Sequence, residues 1–405
     1  MPAACRGILF ALLLAVFCAS ASGADRGAVA AGPEVWLVTY GPGEIYWQRF
    51  GHNAIWIRHP ELGLDHVFNF GFFDFAQEDF FLRFLQGRML YFSAAQPARD
   101  EFAAYIDENR SIRVQRLDLR PDQAAGLTDF LLSEVRPENR DYLYDYYRNN
   151  CSTRVRDALD QALGGSLSRR YSGIPAAQSW RDHTRRLTAA DFWLYLGLES
   201  ALGAPVDAPA DGWNEMFIPE ILATAAAGLR VESATGLTPL VVEDVVLYDS
   251  TLEPPPATPR AWWPRYLLGS LALVGLAWLL ARRAPPWVGP LLARSWLAMT
   301  GLAGMILLYF WFGTDHSVAR LNLNLLVFCP LWLWPAFFRS AAGRTLPLVA
   351  GLSALAILMP FLPPSQYTFD VLAAFLPLNL AAAMTVDAQA RARVRCRGAR
   401  SVRRI

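Results

Sequence analysis

The chain has 405 residues, 54% of them hydrophobic, and a mean hydropathy of +0.21. It is long enough for a sizeable domain plus a membrane region, and too apolar for a purely soluble protein. A formal net charge of +1 gives no reason to expect a nucleic-acid partner. Every basic side chain other than histidine is arginine, a compositional bias to which no function is attached.

The N-terminus carries Arg6, an apolar run from Ile8 to Phe17, and small residues at Ala19–Ser20–Ala21 and Ser22–Gly23–Ala24. This is the pattern of a secretory signal peptide over residues 1–24, cleaved after Ala21 or Ala24. Phe17, before Cys18, is too large for a lipoprotein signal. The mature N-terminus is therefore expected outside the cytoplasmic membrane.

Residues 25–250 mix strand, helix and polar loop patterns and read as one α+β domain. WLVTY at 36–40, NAIWIRH at 53–59 and HVFNFGFF at 66–73 are strand-like. AQEDFFLRFLQG at 76–87 reads as a helix ending at Gly87, and PDQAAGLTDFLLSEV at 121–135 as another, with Pro121 in its first turn. CSTRVRDAL opens an amphipathic helix with apolar positions at Val155, Ala158, Leu159, Ala162 and Leu163, stopped by Gly164–Gly165. Strands at 229–232 and 239–248 close the domain. A proline-rich linker, 251–264, carries Trp262 and Trp263, residues suited to a membrane edge.

Five apolar runs follow within 265–385, at roughly 265–281, 296–313, 323–338, 346–362 and 369–385. Each is near the roughly 20 residues that cross hydrocarbon, with the third and fifth marginal. If the first run leaves the outside, the inner segments hold Arg282, Arg283, Arg294, Arg339, Arg344 and the arginine-rich tail 386–405. The outer loops hold only Arg320 and His316. That asymmetry predicts a cytoplasmic C-terminus.

Cys151 is the only cysteine in the exported part; Cys5 and Cys18 lie in the N-terminal run, Cys329 in an apolar run and Cys396 in the tail. Without a local disulfide partner it is either a nucleophile or small core filler. A helix start offers free N–H groups and a positive dipole end, which lower a thiol pKa. Asn149 or Asn150 can cap that helix, and Asn150 is a candidate supporting or substrate contact. His52, just before the NAIWI strand, is the candidate base. On the next strand, alternation sends Asn69 and His66 to opposite faces, so only one can orient His52. Asn69 is preferred because Phe68 and Phe70 share the face of His66; His66 and Asp65 are the fallbacks. The even spacing of His52, His59 and His66 hints at a metal, but Pro60 follows His59 and no second cysteine helps, so no metal or other cofactor is expected. GPGE at 41–44 reads as a turn.

GPGEIYWQRFGHNAIWIRH, FNFGFFDF with FLQGRMLYF, YRNNCSTRVRDALD, WNEMFIPEIL and TDHSVARLNLNLL together resemble the Lnb-type bacterial lipoprotein N-acyltransferases. The resemblance implies a periplasmic domain of permuted papain-like fold, akin to NlpC-type peptidases and lecithin:retinol acyltransferase-like enzymes. That order puts histidine before cysteine, as here, and a transmembrane helical bundle follows in the inner membrane. It implies that Cys151 takes an acyl chain from a phospholipid as a thioester. The chain then passes to the α-amine of a diacylglyceryl-cysteine lipoprotein, with His52 as base. Asp315, His316, Asn322 and Asn324 cluster at the ends of apolar runs, where polar groups are costly unless used. They are expected to bind lipid head groups or brace the domain; an ordinary polar loop is the plain alternative. Trp213, Met216 and Phe217 form either a membrane-side rim or core. A papain-like peptidase or amidase, a phospholipase and a non-catalytic membrane binding module are the competing functions.

Overall fold

The computed structural model of the protein describes residues 32–233, 236–338, 343–363 and 365–402. Segment 1–24, read above as a signal peptide, and Arg339 lie outside the described residues. In chain order the exported part comprises β1 (Glu34–Tyr40), β2 (His52–His59), β3 (Leu64–Phe72), α1 (Phe80–Gln86), β4 (Leu90–Pro97), α2 (Ala98–Asp107), β5 (Ile112–Leu117), α3 (Pro121–Glu134) and β6 (Asp141–Leu143). Next come α4 (Cys151–Ala162), α5 (Ser166–Tyr171), α6 (Trp180–Thr188), α7 (Phe192–Ala201), α8 (Gly212–Glu215), α9 (Pro219–Gly228), β7 (Arg230–Ser233), β8 (Gly236–Pro239) and β9 (Val241–Tyr248). The apolar part holds α10 (Trp263–Arg283), α11 (Val288–Phe312), α12 (Leu333–Phe337), α13 (Thr345–Leu358) and α14 (Phe369–Val402).

Seven strands form one antiparallel sheet in the order β6-β4-β3-β2-β1-β5-β9, and β7-β8 is a separate hairpin. The central strands bury both faces, which is why they read as nearly continuous apolar runs. Val35, Leu37, Ile55, Ile57, Phe68 and Phe70 pack with Leu127, Leu131, Val155 and Leu159 of α3 and α4. Trp36, Val38, Tyr40, Ala54 and Val67 pack on the opposite side against Ala98, Phe102 and Tyr105 of α2. The period of two thus decides which layer each side chain joins.

Two sequence expectations shift. The helix expected over 76–87 begins only at Phe80, because Asp74 first closes a turn through its carboxylate to the Ala76 N–H (2.8 Å). The strand expected over 239–248 starts at Val241, after Pro239 has ended the β8 hairpin. Met216 and Phe217 are fully buried core rather than a rim, while Trp213 lies under the Arg156 guanidinium at 3.8 Å.

Among the described residues, three helices are long and apolar enough to cross a membrane: Trp263–Arg283, Val288–Phe312 and Phe369–Ala392 within α14. The third and fourth runs are shorter apolar helical segments, Leu323–Phe337 and Thr345–Phe361. The former consists of two 3-10 turns and the brief α12; Pro330, which cannot donate to a preceding turn, opens the second of them. The fifth run, marginal by sequence, continues into the longest helix of the chain. Inside the bundle Asn379 is satisfied by the Trp296 indole (2.8 Å) and by donating to the Val327 carbonyl (3.0 Å).

The two parts lock together through residues 314–324 and 366–370. Asn322 donates to the carbonyls of Ser200 and Ala201, and Asn324 to those of Glu199 and Ser200. These close the C-terminal end of α7, where helix carbonyls lack internal donors. Asp370, fully buried at the start of α14, accepts from the Tyr195 hydroxyl (2.6 Å) and from Arg185 (3.3 Å).

Candidate active site

The start of α4 is built as its sequence suggests. Asn150 takes an extended conformation and its side chain accepts from the Thr153 N–H (2.8 Å), while the Thr153 hydroxyl accepts from the Asn150 N–H (2.8 Å). The Asn150 amide nitrogen also donates to the carbonyls of Tyr146 and Phe217, so its place is the cap and not the open site. Cys151 is then the first helical residue and is 9% exposed.

A polar tether holds this helix start against β2. The Ser152 hydroxyl lies 2.9 Å from Asn53 Oδ1, and Asn53 Nδ2 donates to Thr39 Oγ1 (2.8 Å) and the Val38 carbonyl (3.2 Å). The backbone N–H groups of Asn53, Ser152 and Cys151 favour the Cys151 thiolate. Because Asn53 follows His52 directly, the same tether fixes the start of the strand that carries the imidazole against the start of α4. Gly71 borders the helix start, and its backbone conformation is what calls for glycine. It sits at an irregularity in the β3–β4 ladder with φ +99, and a Cβ there would stand 3.5 Å from that of Cys151.

His52 Nε2 lies 2.9 Å from Asn69 Oδ1. The Asn69 amide nitrogen donates to Glu101 Oε2 (2.6 Å) and to the Val67 carbonyl (3.3 Å), so its oxygen must face the histidine. Nε2 is accordingly the donor, and Nδ1 keeps the lone pair. Glu101, buried on α2, also accepts from the Tyr40 hydroxyl at 2.6 Å. Tyr40 stacks on Tyr105 and on the imidazole, at ring separations of 3.5 and 5.9 Å. The relay therefore runs Tyr40–Glu101–Asn69–His52. Of the three residues competing to orient His52, only Asn69 does so: Asp65 accepts from the Trp56 indole (2.7 Å), and His66 is on the other face.

Burial dominates the electrostatics. It pushes the Cys151 thiol above its usual range, opposed by the three N–H groups and the Arg110 charge. The N–H groups of the helix start pull the pKa down as expected, but desolvation of the thiolate outweighs them, so the net direction is upward. His52 is depressed to about 4 by burial, while its bond to Asn69 pulls upward and Arg110 downward. Glu101 is raised to about 7 by burial, against donation from Tyr40 and Asn69. At neutral pH the Cys151 thiol and the His52 imidazole are therefore both neutral. Arg110 is the fixed cation nearby, with Nε donating to the Gly41 carbonyl (3.0 Å) and its guanidinium 4.6 Å above the Tyr105 ring.

The outer-loop candidates are not gathered at the thiol. Asn322 and Asn324 are buried and bond to α7 as described above. Exposed Asp315 pairs with Arg88 (2.6 Å). His316 lies 2.9 Å from the Phe84 carbonyl and stacks on Tyr146. Their amide, carboxylate and imidazole groups are engaged in bracing. Sequence reasoning missed Glu101, Tyr40, Asn53 and Arg110. A weak signal existed for one of them: Glu101 and Tyr105 are four apart, so α2 presents a carboxylate and an aromatic ring on one face.

Two family models match the chain. The Lnb N-terminal periplasmic domain matches residues 30–186, and the Lnb transmembrane domain matches residues 262–389. No curated protein and no solved structure matches it. The first match contains His52, Asn69 and Cys151, the second contains the brace and the apolar helices, and together they span most of the chain in one order. The protein therefore belongs to the Lnb family, membrane proteins of lipoprotein modification with a periplasmic N-terminal domain.

Proposed function

We propose that the protein is a thiol acyltransferase that moves an acyl chain from a phospholipid, through a thioester on Cys151, to the N-terminal amine of a diacylglyceryl-cysteine lipoprotein. The observation that carries this reading is the directed contact from His52 Nε2 to Asn69, which leaves Nδ1 to act as the base for a thiol held at a helix start. The family supplies the lipoprotein context. A strand-borne histidine that precedes a helix-start cysteine also supports a permuted papain-like domain over residues 25–250, with 251–264 as linker, 265–385 in the membrane and 386–405 as tail.

In the first half-reaction Cys151 Sγ attacks the ester carbonyl as its proton passes to His52 Nδ1. Since both groups rest neutral, transfer accompanies attack instead of preceding it. The imidazolium so formed is held by Asn69 Oδ1, and the oxyanion is met by the N–H groups around the sulfur. Collapse breaks the ester C–O bond, and His52 returns the proton to the leaving lysophospholipid hydroxyl. In the second half the lipoprotein amine attacks the thioester and loses a proton to His52. The C–S bond breaks, and the proton restores the thiol.

The topology argument for a cytoplasmic C-terminus has physical support. Residues 314–324 and 366–370 both bond to the exported domain, so α14 departs from the domain side. Arg282, Arg283 and Arg344 lie at helix ends away from it.

The test is the mass of a lipoprotein's N-terminal peptide from a bacterium depleted of its own N-acyltransferase. One added acyl chain with the native protein, and none with Cys151→Ser, is expected. A well-expressed native protein that adds no chain overturns the proposal; released free fatty acid would then point to a phospholipase, and cleaved cell-wall peptide to a peptidase.

A further inference from the structure

We infer that α1 and the aromatic turn before it form a lipid portal: α1 lies in the outer surface of the bilayer and passes phospholipid acyl chains along an aromatic wall to Cys151. The inference rests on the proposed acyl transfer for its purpose, and on separate observations for its location.

The first is composition against exposure. α1 reads FFLRFLQ, with apolar side chains around most of its circumference. Phe81 is 74% exposed, and Leu82, Phe84 and Leu85 are exposed beside it. Trp47 and Phe75, on the adjoining loops, are also exposed. A contiguous apolar patch of this kind on a protein surface marks a binding face. A helix apolar on nearly all sides has no reason to lie in water.

The second is where α1 is pinned. Its C-terminal end rests on the residues that follow α11, a helix long enough to span a membrane. The Asp315 N–H donates to the Gln86 carbonyl (2.8 Å), His316 meets the Phe84 carbonyl, and Arg88 pairs with Asp315. At Gly87, φ +75 turns the chain, and a Cβ would stand only 2.7 Å from the His316 nitrogen. α11 ends at Phe312, itself exposed, so the tie sets α1 at the height where that helix leaves hydrocarbon. Arg88 and Asp315 form the polar side of this layer, as at a bilayer interface. The occupant argued for is therefore the acyl region of the leaflet facing the exported domain.

The third is direction. Aromatic rings lead inward from the patch. Phe75 meets Phe80 at 5.0 Å, Phe80 meets Phe73 at 6.1 Å, Phe73 meets Tyr91 at 5.2 Å, and Tyr91 stacks on Tyr144 at 4.2 Å. Tyr144 and Cys151 line the same spot beside Gly71, where a Cβ would stand 3.7 Å from one and 3.5 Å from the other. An acyl chain lying along these rings has its ester end near the thiol without entering water, which is the route a membrane-borne donor requires.

The experiment uses the full chain in vesicles of phosphatidylethanolamine and phosphatidylglycerol, doped with a phospholipid bearing a diazirine at one acyl terminus. Irradiation should place adducts on the peptide covering residues 73–87 as well as on α10, α11 and α14. Adducts confined to those three helices would overturn the portal. In parallel, Phe81→Gln with Leu85→Gln should slow thioester formation on Cys151 from vesicle lipid by roughly tenfold through lost apolar contact. Alkylation of Cys151 by iodoacetamide should stay at the native rate, which shows an intact site, and Phe81→Leu should restore the thioester rate. An unchanged thioester rate in the double variant would also overturn it. Adducts on 73–87 without any thioester in the native protein would uphold the portal and overturn the acyl transfer.

Discussion

Replacing Asn69 by alanine removes the one group that holds His52 in its productive tautomer. The acceptor 2.9 Å from Nε2 disappears, and Glu101 loses its 2.6 Å donor. In the reaction proposed above, that acceptor faces an imidazolium only while the tetrahedral species exists, so its loss weighs on the barrier more than on binding. Hydrogen bonds to a charged partner contribute about 1.5–3 kcal/mol. At about 1.36 kcal/mol per decade, acylation of Cys151 should fall about 10- to 150-fold. The direction agrees with the electrostatics, since the Asn69 bond raises the His52 pKa and its loss leaves a weaker base. The assay is single-turnover thioester formation followed by the mass of intact protein, with iodoacetamide alkylation to show that the thiol is still in place. Acylation within about twofold of native in a folded variant would refute the relay, because that leaves only about 0.4 kcal/mol for the contact.

Further outcomes follow from the same geometry. Alkylation of Cys151 should be slow at pH 7 and rise through and above the ordinary thiol range, since burial holds its pKa up; a rate already at plateau below pH 7 would mean a preformed thiolate. Glu101→Gln leaves the depressed His52, so thermal stability in detergent should be full above about pH 6.5 and fall as pH drops toward about 4. His52→Asn leaves the raised Glu101, so stability should be full below about pH 4.5 and fall as pH rises through about 7; identical pH profiles for the two variants would contradict the assignment. Asn322→Ala with Asn324→Ala removes four hydrogen bonds to the end of α7 and should cost about 2–4 kcal/mol of stability. Asp315→Ala breaks an exposed, solvent-screened pair and should leave the unfolding temperature close to native; both variants are read by thermal unfolding.

Much of the site was legible locally. Asn150, Cys151 and Thr153 form a helix start through contacts three residues apart, so spacing alone announces it. Strand alternation was enough to separate Asn69 from His66, because a period of two leaves one face for each. The apolar runs announced a membrane region, but not which of them became long helices. Glu101 escaped notice because a glutamate in ARDEFAAYID is ordinary on a solvated helix. Only the packing of α2 over the sheet makes it a buried relay.

Sequence by itself determined the chemistry available: one exported thiol at a helix start, a histidine heading a strand, an amide on the correct face of the next strand, and apolar segments behind them. Tertiary structure decided what those groups are at rest and where they stand. Asn53 reaches Ser152 across 99 residues, and Asn324 reaches Glu199 across 125. The thiol pKa went up instead of down. Capping and alternation are set by neighbours a few residues away, whereas burial and net field sum over groups from remote stretches of chain that only the completed fold assembles.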